Sequence, residues 1–176
     1  NEADTSIQPF PQPDDVHRTL EQMIEEGIAA EKAGFHSLQV PHRHGRTECY
    51  YPGPEQLLTI LARETEKVAI GTYTFVATLY HPLHAAEQFA IIDNLSKGRL
   101  YTTMSRGYHP AYWDQFGVPQ EKLLGRFIES IKILRRQLAS ASTPLAFGTL
   151  VVFTDGTDRA HRVPRDKLFE SLDNAG

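Results

Sequence analysis

The chain has 176 residues, of which 40% are hydrophobic and 23% are charged, and its formal net charge is −4. These proportions are ordinary for a globular protein, so they exclude a largely disordered chain and a coiled coil. The length suits one domain with a hydrophobic core. The mild acidity, with no block of lysine and arginine, argues against nucleic acid or an anionic membrane as the main partner.

Cysteine content and the lengths of the apolar runs indicate the compartment. Cys49 is the only cysteine, which excludes an internal disulfide and favours a reducing environment. No apolar run approaches the roughly 20 residues that span a bilayer, and the first residues lack the basic and apolar regions of a signal peptide. The sequence therefore predicts a soluble, cytoplasmic protein.

The predicted elements begin with a helix. Residues 1–15 carry several prolines among polar neighbours, a composition that predicts an extended lead-in. An apolar stripe with helical spacing follows and ends at Gly34, a typical C-terminal stop. The members of this stripe are Leu20, Met23, Ile24, Gly27 and Ile28.

Strands and helices then alternate as far as Leu138. Strands are predicted in FHSLQVP, KVAIGTYTFV and RLYTTMS, and helices are predicted to begin at Pro54 and Pro82, because proline suits the first helical turn. A further helix follows from a core-facing stripe of Leu124, Phe127, Ile128, Ile131, Leu134 and Leu138. This alternation predicts right-handed crossovers and an α/β fold with a parallel sheet of about four strands and flanking helices.

The composition changes near Ala139. Small, turn-prone residues follow, and beyond them come one short predicted strand, TLVVFTDG, and one short predicted helix, PRDKLFESLDNA. We therefore predict two segments, 1–138 and 139–176, of which the second is an appended strand and helix.

Polar residues follow each of the predicted strands of the first segment. In parallel α/β sheets, ligands bind beyond the carboxyl ends of the strands, so these residues are the candidates for a site. They are His42, Arg43 and His44 after the first strand, Tyr73 and Thr74 with His81 after the second, and Ser105, Arg106, Gly107 and His109 after the third.

Arg106 and Ser105 are the candidates at the end of the third strand. A guanidinium group held beside a glycine and a helix start can pair bidentately with a phosphate, and a surface salt bridge is the alternative for Arg106. Ser105 lacks the G-x-S-x-G context of a nucleophile elbow, so the residues favour space for a flat ligand there.

The histidines after the first strand allow two interpretations. His42 and His44 would share one face of an extended strand, a spacing that suits a metal pair and a metal-dependent hydrolase. No second tight motif accompanies them, because His81, His84 and His109 fall in predicted loops or helix starts. Polar loop histidines are therefore the favoured interpretation, and no metal site is predicted.

Several linked motifs resemble the bacterial luciferase-like flavin monooxygenases, including the relatives that use the deazaflavin F420. The resemblance covers about residues 16–138 in the stretches EKAGFHSLQVPHRHG, KVAIGTYTFVATLYHPLHAAEQFAIIDNLSKGRL and SRGYHPAYWDQFGV. Its most telling parts are Gly71-Thr72, His81-Pro82, the turn Asp93–Arg99, and Arg106-Gly107.

The resemblance implies a TIM barrel in which reduced FMN or F420 lies across the strand ends. There the cofactor would react with O2 and oxidise a small organic substrate. Cofactor binding would fall to Tyr73, Thr74, Ser105, Arg106, Gly107 and His109. Arg106 would meet the phosphate, and Tyr73 and Thr74 would lie under the ring, where relatives often carry a cis peptide.

The resemblance also implies catalytic roles for Ser105 and His44. Ser105 would stand near the reactive edge of the ring. His44 matches a histidine of a Glu-His-His-like motif, in which His42 here takes the place of the acidic residue and Arg43 that of the other histidine.

The predicted strands are too few to close an eight-stranded barrel, so a partial barrel with exposed sheet edges is expected. The segment of about residues 145–173 resembles a strand and helix of a von Willebrand factor A domain. The alternatives to an active monooxygenase are an inactive partial barrel, a noncatalytic binding or interaction fragment that forms homo-oligomers through its edges, and the metal-dependent hydrolase.

Overall fold

The computed structural model describes residues 13–44, 52–138 and 149–152. In these ranges the helices are α1 (Pro13–Lys32), α2 (Pro54–Glu64), α3 (Pro82–Ser96), α4 (Pro110–Gln115) and α5 (Leu123–Leu138), with short 3₁₀ turns at Ala77–Leu79 and Gln120–Lys122. The strands are β1 (Ser37–Val40), β2 (Ala69–Val76), β3 (Leu100–Ser105) and β4 (Thr149–Val152).

The strands form one parallel sheet in the order β1-β2-β3-β4. This arrangement confirms the predicted α/β fold with flanking helices. Strand β4, from the predicted appended segment, continues the sheet because Tyr101 pairs with Thr149. The boundary near Ala139 and the helix expected after β4 lie outside the described residues, so the division into two segments stays a prediction.

Prolines fix where the helices begin. Pro54 and Pro82 stand in the first turns of α2 and α3, as predicted. Pro13 likewise begins α1, so the extended lead-in predicted for residues 1–15 is wrong for its last part. Asp14 and Asp15 lie in that first turn, where the partial positive charge of the helix end favours carboxylates.

The hydrophobic core lies between the sheet and helices α2, α3 and α5. Fully buried side chains from the strands meet fully buried side chains from the helices, and each contributes about 1.5–3 kcal/mol relative to an exposed position. These residues include Ile70, Phe75 and Met104 from the strands, and Leu58, Phe89 and Leu134 from the helices.

The predicted stripe of α5 is partly wrong. Leu124 and Ile128 are 57% and 42% exposed, whereas the other predicted members are buried. The apolar arc of α5 is wider than the surface that the helix contacts, so only the side that faces α3 and the 3₁₀ turns is covered. The buried face consists of Leu123, Phe127, Ser130, Ile131, Leu134 and Leu138.

Arg99 ties together three backbone segments at the amino-terminal edge of the sheet. Its Nε donates to the Ser96 carbonyl, and its Nη atoms donate to the carbonyls of Ala62, Thr65 and Val68 and to the Thr65 hydroxyl, all at 2.8–2.9 Å. These bonds use all five N–H groups of the guanidinium. Arg99 therefore satisfies carbonyls at the end of α2, which the helix itself leaves without partners.

Glu31 binds the same loop from the other side. Its Oε1 accepts the N–H groups of Glu66, Lys67 and Val68 at 3.0, 2.6 and 2.8 Å. The Val68 and Lys67 bonds do most to lower the pKa of Glu31 below its ordinary value. The connection from α2 to β2 is thus held by one carboxylate and one guanidinium.

None of the helices within the described ranges is long and apolar enough to cross a membrane.

We expect Arg99→Lys to lower the free energy of unfolding by about 2–3 kcal/mol, because a single ammonium cannot satisfy the carbonyls that the fork reaches. Urea unfolding followed by the fluorescence of Trp113, the only tryptophan, measures the change. Arg63→Lys, on the exposed side of α2, is the matched control and should change stability by less than about 0.5 kcal/mol. Equal effects of the two substitutions would contradict the role of Arg99.

Candidate functional site

The carboxyl ends of β1, β2 and β3 meet at one edge of the sheet. Val76 pairs with Ser105 across β2 and β3, so the residues after these strands are neighbours. The Val76 N–H also donates to Nδ1 of His42 at 3.0 Å, which brings in the segment after β1. The structure therefore brings the predicted site residues of the three strands to the same edge.

The peptide bond between Tyr73 and Thr74 is cis, as the resemblance implied. The pairing of β2 with β3 is irregular between Thr72 and Phe75, on either side of this bond. The Tyr73 side chain is 64% exposed. Thr74 Oγ1 lies 2.9 Å from Ser105 Oγ, so two predicted cofactor-binding residues are in hydrogen-bond contact.

The turn after β3 is held from several directions. The Arg106 carbonyl accepts hydrogen bonds from the Thr78 hydroxyl at 2.8 Å and from Trp113 Nε1 at 3.2 Å. Ser105 Oγ accepts the Gly107 N–H at 3.3 Å. Gly107 has a φ of 88°, and a Cβ there would lie 2.9 Å from Val76 Cγ1. A side chain at this position would therefore disturb the backbone that carries Arg106.

His109 caps the short helix α4. Its Nδ1 accepts the Ala111 N–H at 3.3 Å, and its ring centroid lies 5.5 Å from that of Tyr112. The observed contacts of His109 are thus structural, and its predicted contact with a cofactor stays a prediction.

His42 and His44 contact each other directly. Their Nε2 atoms are 2.6 Å apart, and the ring of His42 stacks on Phe75 with a centroid distance of 5.2 Å. The ring of His44 packs edge-on against Phe116 at 4.7 Å and Tyr112 at 6.1 Å. His42 is buried, whereas His44 is partly exposed. The pair therefore joins the interior of the fold to the surface of the site.

Burial holds both imidazoles neutral. It lowers the pKa of His42 to about 3, with a smaller contribution from the proximity of His44. Burial also lowers the pKa of His44 below its ordinary value. At neutral pH each ring therefore has one N–H donor and one nitrogen acceptor.

The other histidines at this edge do not strengthen the metal interpretation. His81 and His84 are exposed at the start of α3, and the Nε2 atoms of His42 and His44 engage each other. Among residues 13–44, 52–138 and 149–152, no group of at least three possible metal ligands comes together. Cys49 is outside these ranges.

Two residues of the site were not predicted from the sequence. Tyr80 lies with its hydroxyl 3.4 Å from His42 Nε2, and it bonds to the side chain of Glu55, which is 4% exposed. Glu55 stands in the first turn of α2, where a carboxylate is ordinary for a helix start. In the sequence, Glu55 therefore looks like an ordinary carboxylate at a helix start, and only the fold shows that it is buried.

A family model described as luciferase-like monooxygenase matches residues 4–168. That match runs through most of the segment that was compared with a von Willebrand factor A domain, and nothing supports the latter resemblance. The chain spans about a third of the length of the curated relatives it matches, 31% and 34% for two of them.

One curated relative is the oxygenase component of a flavin-dependent trigonelline monooxygenase from Acinetobacter baylyi. It is 33% identical over 87 residues, which are 49% of this chain and 24% of that protein.

Solved structures share the fold. The oxygenating constituent of 3,6-diketocamphane monooxygenase from Pseudomonas putida, in complex with FMN, gives a TM-score of 0.64 at 19% identity over 72% of this chain and 36% of that one. An F420-dependent secondary alcohol dehydrogenase in complex with an F420-acetone adduct gives 0.64 at 20% identity over 78% and 48%. The sheet and helices thus have the fold of the luciferase-like TIM-barrel proteins.

The low pKa of His42 predicts a loss of stability in acid. The folded protein excludes a proton that the unfolded chain takes up below about 6.5, so His42 contributes stability above that pH, and the contribution disappears as the pH falls toward 3. In this window the free energy of unfolding should fall by up to about 1.4 kcal/mol per pH unit because of His42.

Urea unfolding of the wild type and of His42→Gln between pH 7 and pH 4.5 tests this expectation. The wild type should lose stability more steeply than the variant as the pH falls. Parallel curves for the two proteins would contradict the burial of a neutral His42.

Proposed function

This chain belongs to the luciferase-like monooxygenase family, and we propose that it binds reduced FMN or F420 at the carboxyl edge of its sheet, as an oxidoreductase that acts on a small organic molecule. For a monooxygenase the second substrate is O2. The observation that carries the proposal is the contact between Thr74 and Ser105, next to the exposed Tyr73 and the fixed Arg106 turn.

The residues of this edge fit the chemistry of such a cofactor. An isoalloxazine or deazaflavin ring needs a flat surface with hydrogen-bonding groups, and the Thr74 and Ser105 hydroxyls lie side by side next to an aromatic side chain. The phosphate needs a cation on a rigid support, and the Arg106 carbonyl is held by Thr78 and Trp113. Gly107 allows the tight turn that follows.

A bound flavin or deazaflavin supplies the redox chemistry, so the protein has to orient it and limit the access of water. In the proposal, Tyr73, Thr74 and Ser105 orient the ring and Arg106 binds the phosphate. His44 is the candidate catalytic residue of the protein, because its ring is partly exposed at the same edge. The rings of Tyr112 and Phe116 pack against His44 and would keep water away from it.

The relatives include proteins that use each of the two cofactors. A flavin-dependent monooxygenase and an FMN complex favour FMN, whereas an F420-dependent dehydrogenase with the same fold favours F420. The proposal therefore names both, and direct titration decides between them.

Fluorescence titration of the chain with FMN and with F420 is the test. We expect saturable binding of one of them, and we expect Arg106→Ala to weaken it by about 1.5–3 kcal/mol, a rise in Kd of roughly 10- to 150-fold, because a charge-assisted bond to phosphate is lost. Arg63→Ala, an exposed arginine of α2, is the matched control and should leave the Kd unchanged.

Two outcomes of this titration would contradict the proposal. Absence of binding of both cofactors at tens of micromolar would leave the noncatalytic interpretation. Equal affinities for the wild type and Arg106→Ala would remove Arg106 from the phosphate site.

A further inference from the structure

A chain of polar side chains leads from the buried start of α2 to the candidate site. Glu55 bonds to the hydroxyl of Tyr80, that hydroxyl lies 3.4 Å from His42 Nε2, and His42 Nε2 lies 2.6 Å from His44 Nε2. Glu55 and His42 are 4% and 5% exposed. Buried polar groups of this kind are costly unless their donors and acceptors match, so the direction of each hydrogen bond can be worked out.

The backbone decides the tautomer of His42. The Val76 N–H donates to His42 Nδ1 at 3.0 Å, so Nδ1 is an acceptor and carries no hydrogen. A neutral His42 must then carry its hydrogen on Nε2. The nearest acceptor for that hydrogen is His44 Nε2 at 2.6 Å.

The positions of the hydrogens on Tyr80 and His44 follow in the same way. Tyr80 cannot donate to a His42 Nε2 that already holds a hydrogen, so its O–H donates to Glu55. His44 Nε2 accepts from His42, so a neutral His44 must carry its hydrogen on Nδ1. One consistent set of directions therefore serves each contact from Glu55 through Tyr80 and His42 to His44.

We infer that His42 is a positioning residue that fixes His44 as the neutral Nδ1–H tautomer, so that His44 serves the site as a hydrogen-bond donor and not as a proton acceptor. The role of His44 in the site rests on the proposed function, whereas the tautomers of His42 and His44 are expected in the protein without any cofactor. Glu55 and Tyr80 support the arrangement, because Glu55 takes the Tyr80 hydrogen and leaves His42 Nε2 free to donate toward His44.

The surroundings of His44 agree with this inference. The titratable groups that face it are His42, after β1, and Tyr112, on α4, and behind His42 stand Tyr80, after β2, and Glu55, on α2. A proton added to His44 Nε2 would meet the His42 N–H, and this contact opposes protonation in the same direction as burial, which lowers the pKa of His44. Burial, followed by Glu55, raises the pKa of Tyr80 and keeps its hydroxyl a donor.

Long-range ¹H–¹⁵N correlation spectra of the histidine rings at pH 7.5, recorded on the chain without cofactor, test the tautomers directly. We expect the hydrogen on Nε2 in His42 and on Nδ1 in His44. An Nε2–H tautomer of His44, or rapid exchange between its two tautomers, would overturn the inference.

A pair of substitutions at position 42 separates positioning from packing. His42→Phe keeps a flat ring but has no donor, so the pKa of His44 should rise by about one unit and its Nδ1–H preference should be lost. His42→Gln keeps a side-chain N–H that can reach His44 and should retain most of the wild-type tautomer. His36→Gln, at an exposed position before β1, is the control and should change neither property.

Equal His44 pKa values in His42→Phe and His42→Gln would overturn the inference. Should His42→Phe fail to fold, the spectra of the wild type still decide the question. These spectra do not depend on a cofactor, so a failed FMN or F420 titration would contradict the proposed function and leave the tautomers as a separate result.

Discussion

The parallel pairing of β2 with β3 is the constraint on which the site depends. Because Val76 lies opposite Ser105, the residues that follow the two strands leave the sheet at the same level. Thr74 then reaches the Ser105 hydroxyl, and Thr78 reaches the Arg106 carbonyl. A shift of one residue would turn these side chains to the opposite face and separate them.

The residues at the two edges of the sheet have different roles. At the amino-terminal edge, Arg99 and Glu31 satisfy backbone groups of the loop between α2 and β2, and their hydrogen bonds stabilise the fold. At the carboxyl edge, His44, Ser105 and Arg106 are partly exposed on backbone that neighbouring side chains hold in place. This division matches the general placement of stability and function in βα folds.

Local signals in the sequence predicted most of the fold. Prolines and apolar periodicity located the starts of α2 and α3 and the strands β1 to β3, because these features act within a few residues. The burial of Leu124 was predicted wrongly, since periodicity gives the apolar side of a helix and not the area that its neighbours cover. The links from Glu55 to Tyr80 and from Val76 to His42 could not be predicted, because they join residues distant in sequence through the packing of α2 against the sheet.

The central claim is that a flavin or deazaflavin binds across the carboxyl edge, and the backbone amide spectrum tests it most directly. Addition of FMN, and separately of F420, to the ¹⁵N-labelled chain should shift the amide signals of Thr74, Ser105, Arg106 and Gly107 for the cofactor that binds. The signals of Lys67 and Val68, at the opposite edge, should stay in place. Shifts centred on Lys67 and Val68, or no shifts with either cofactor, would contradict the account.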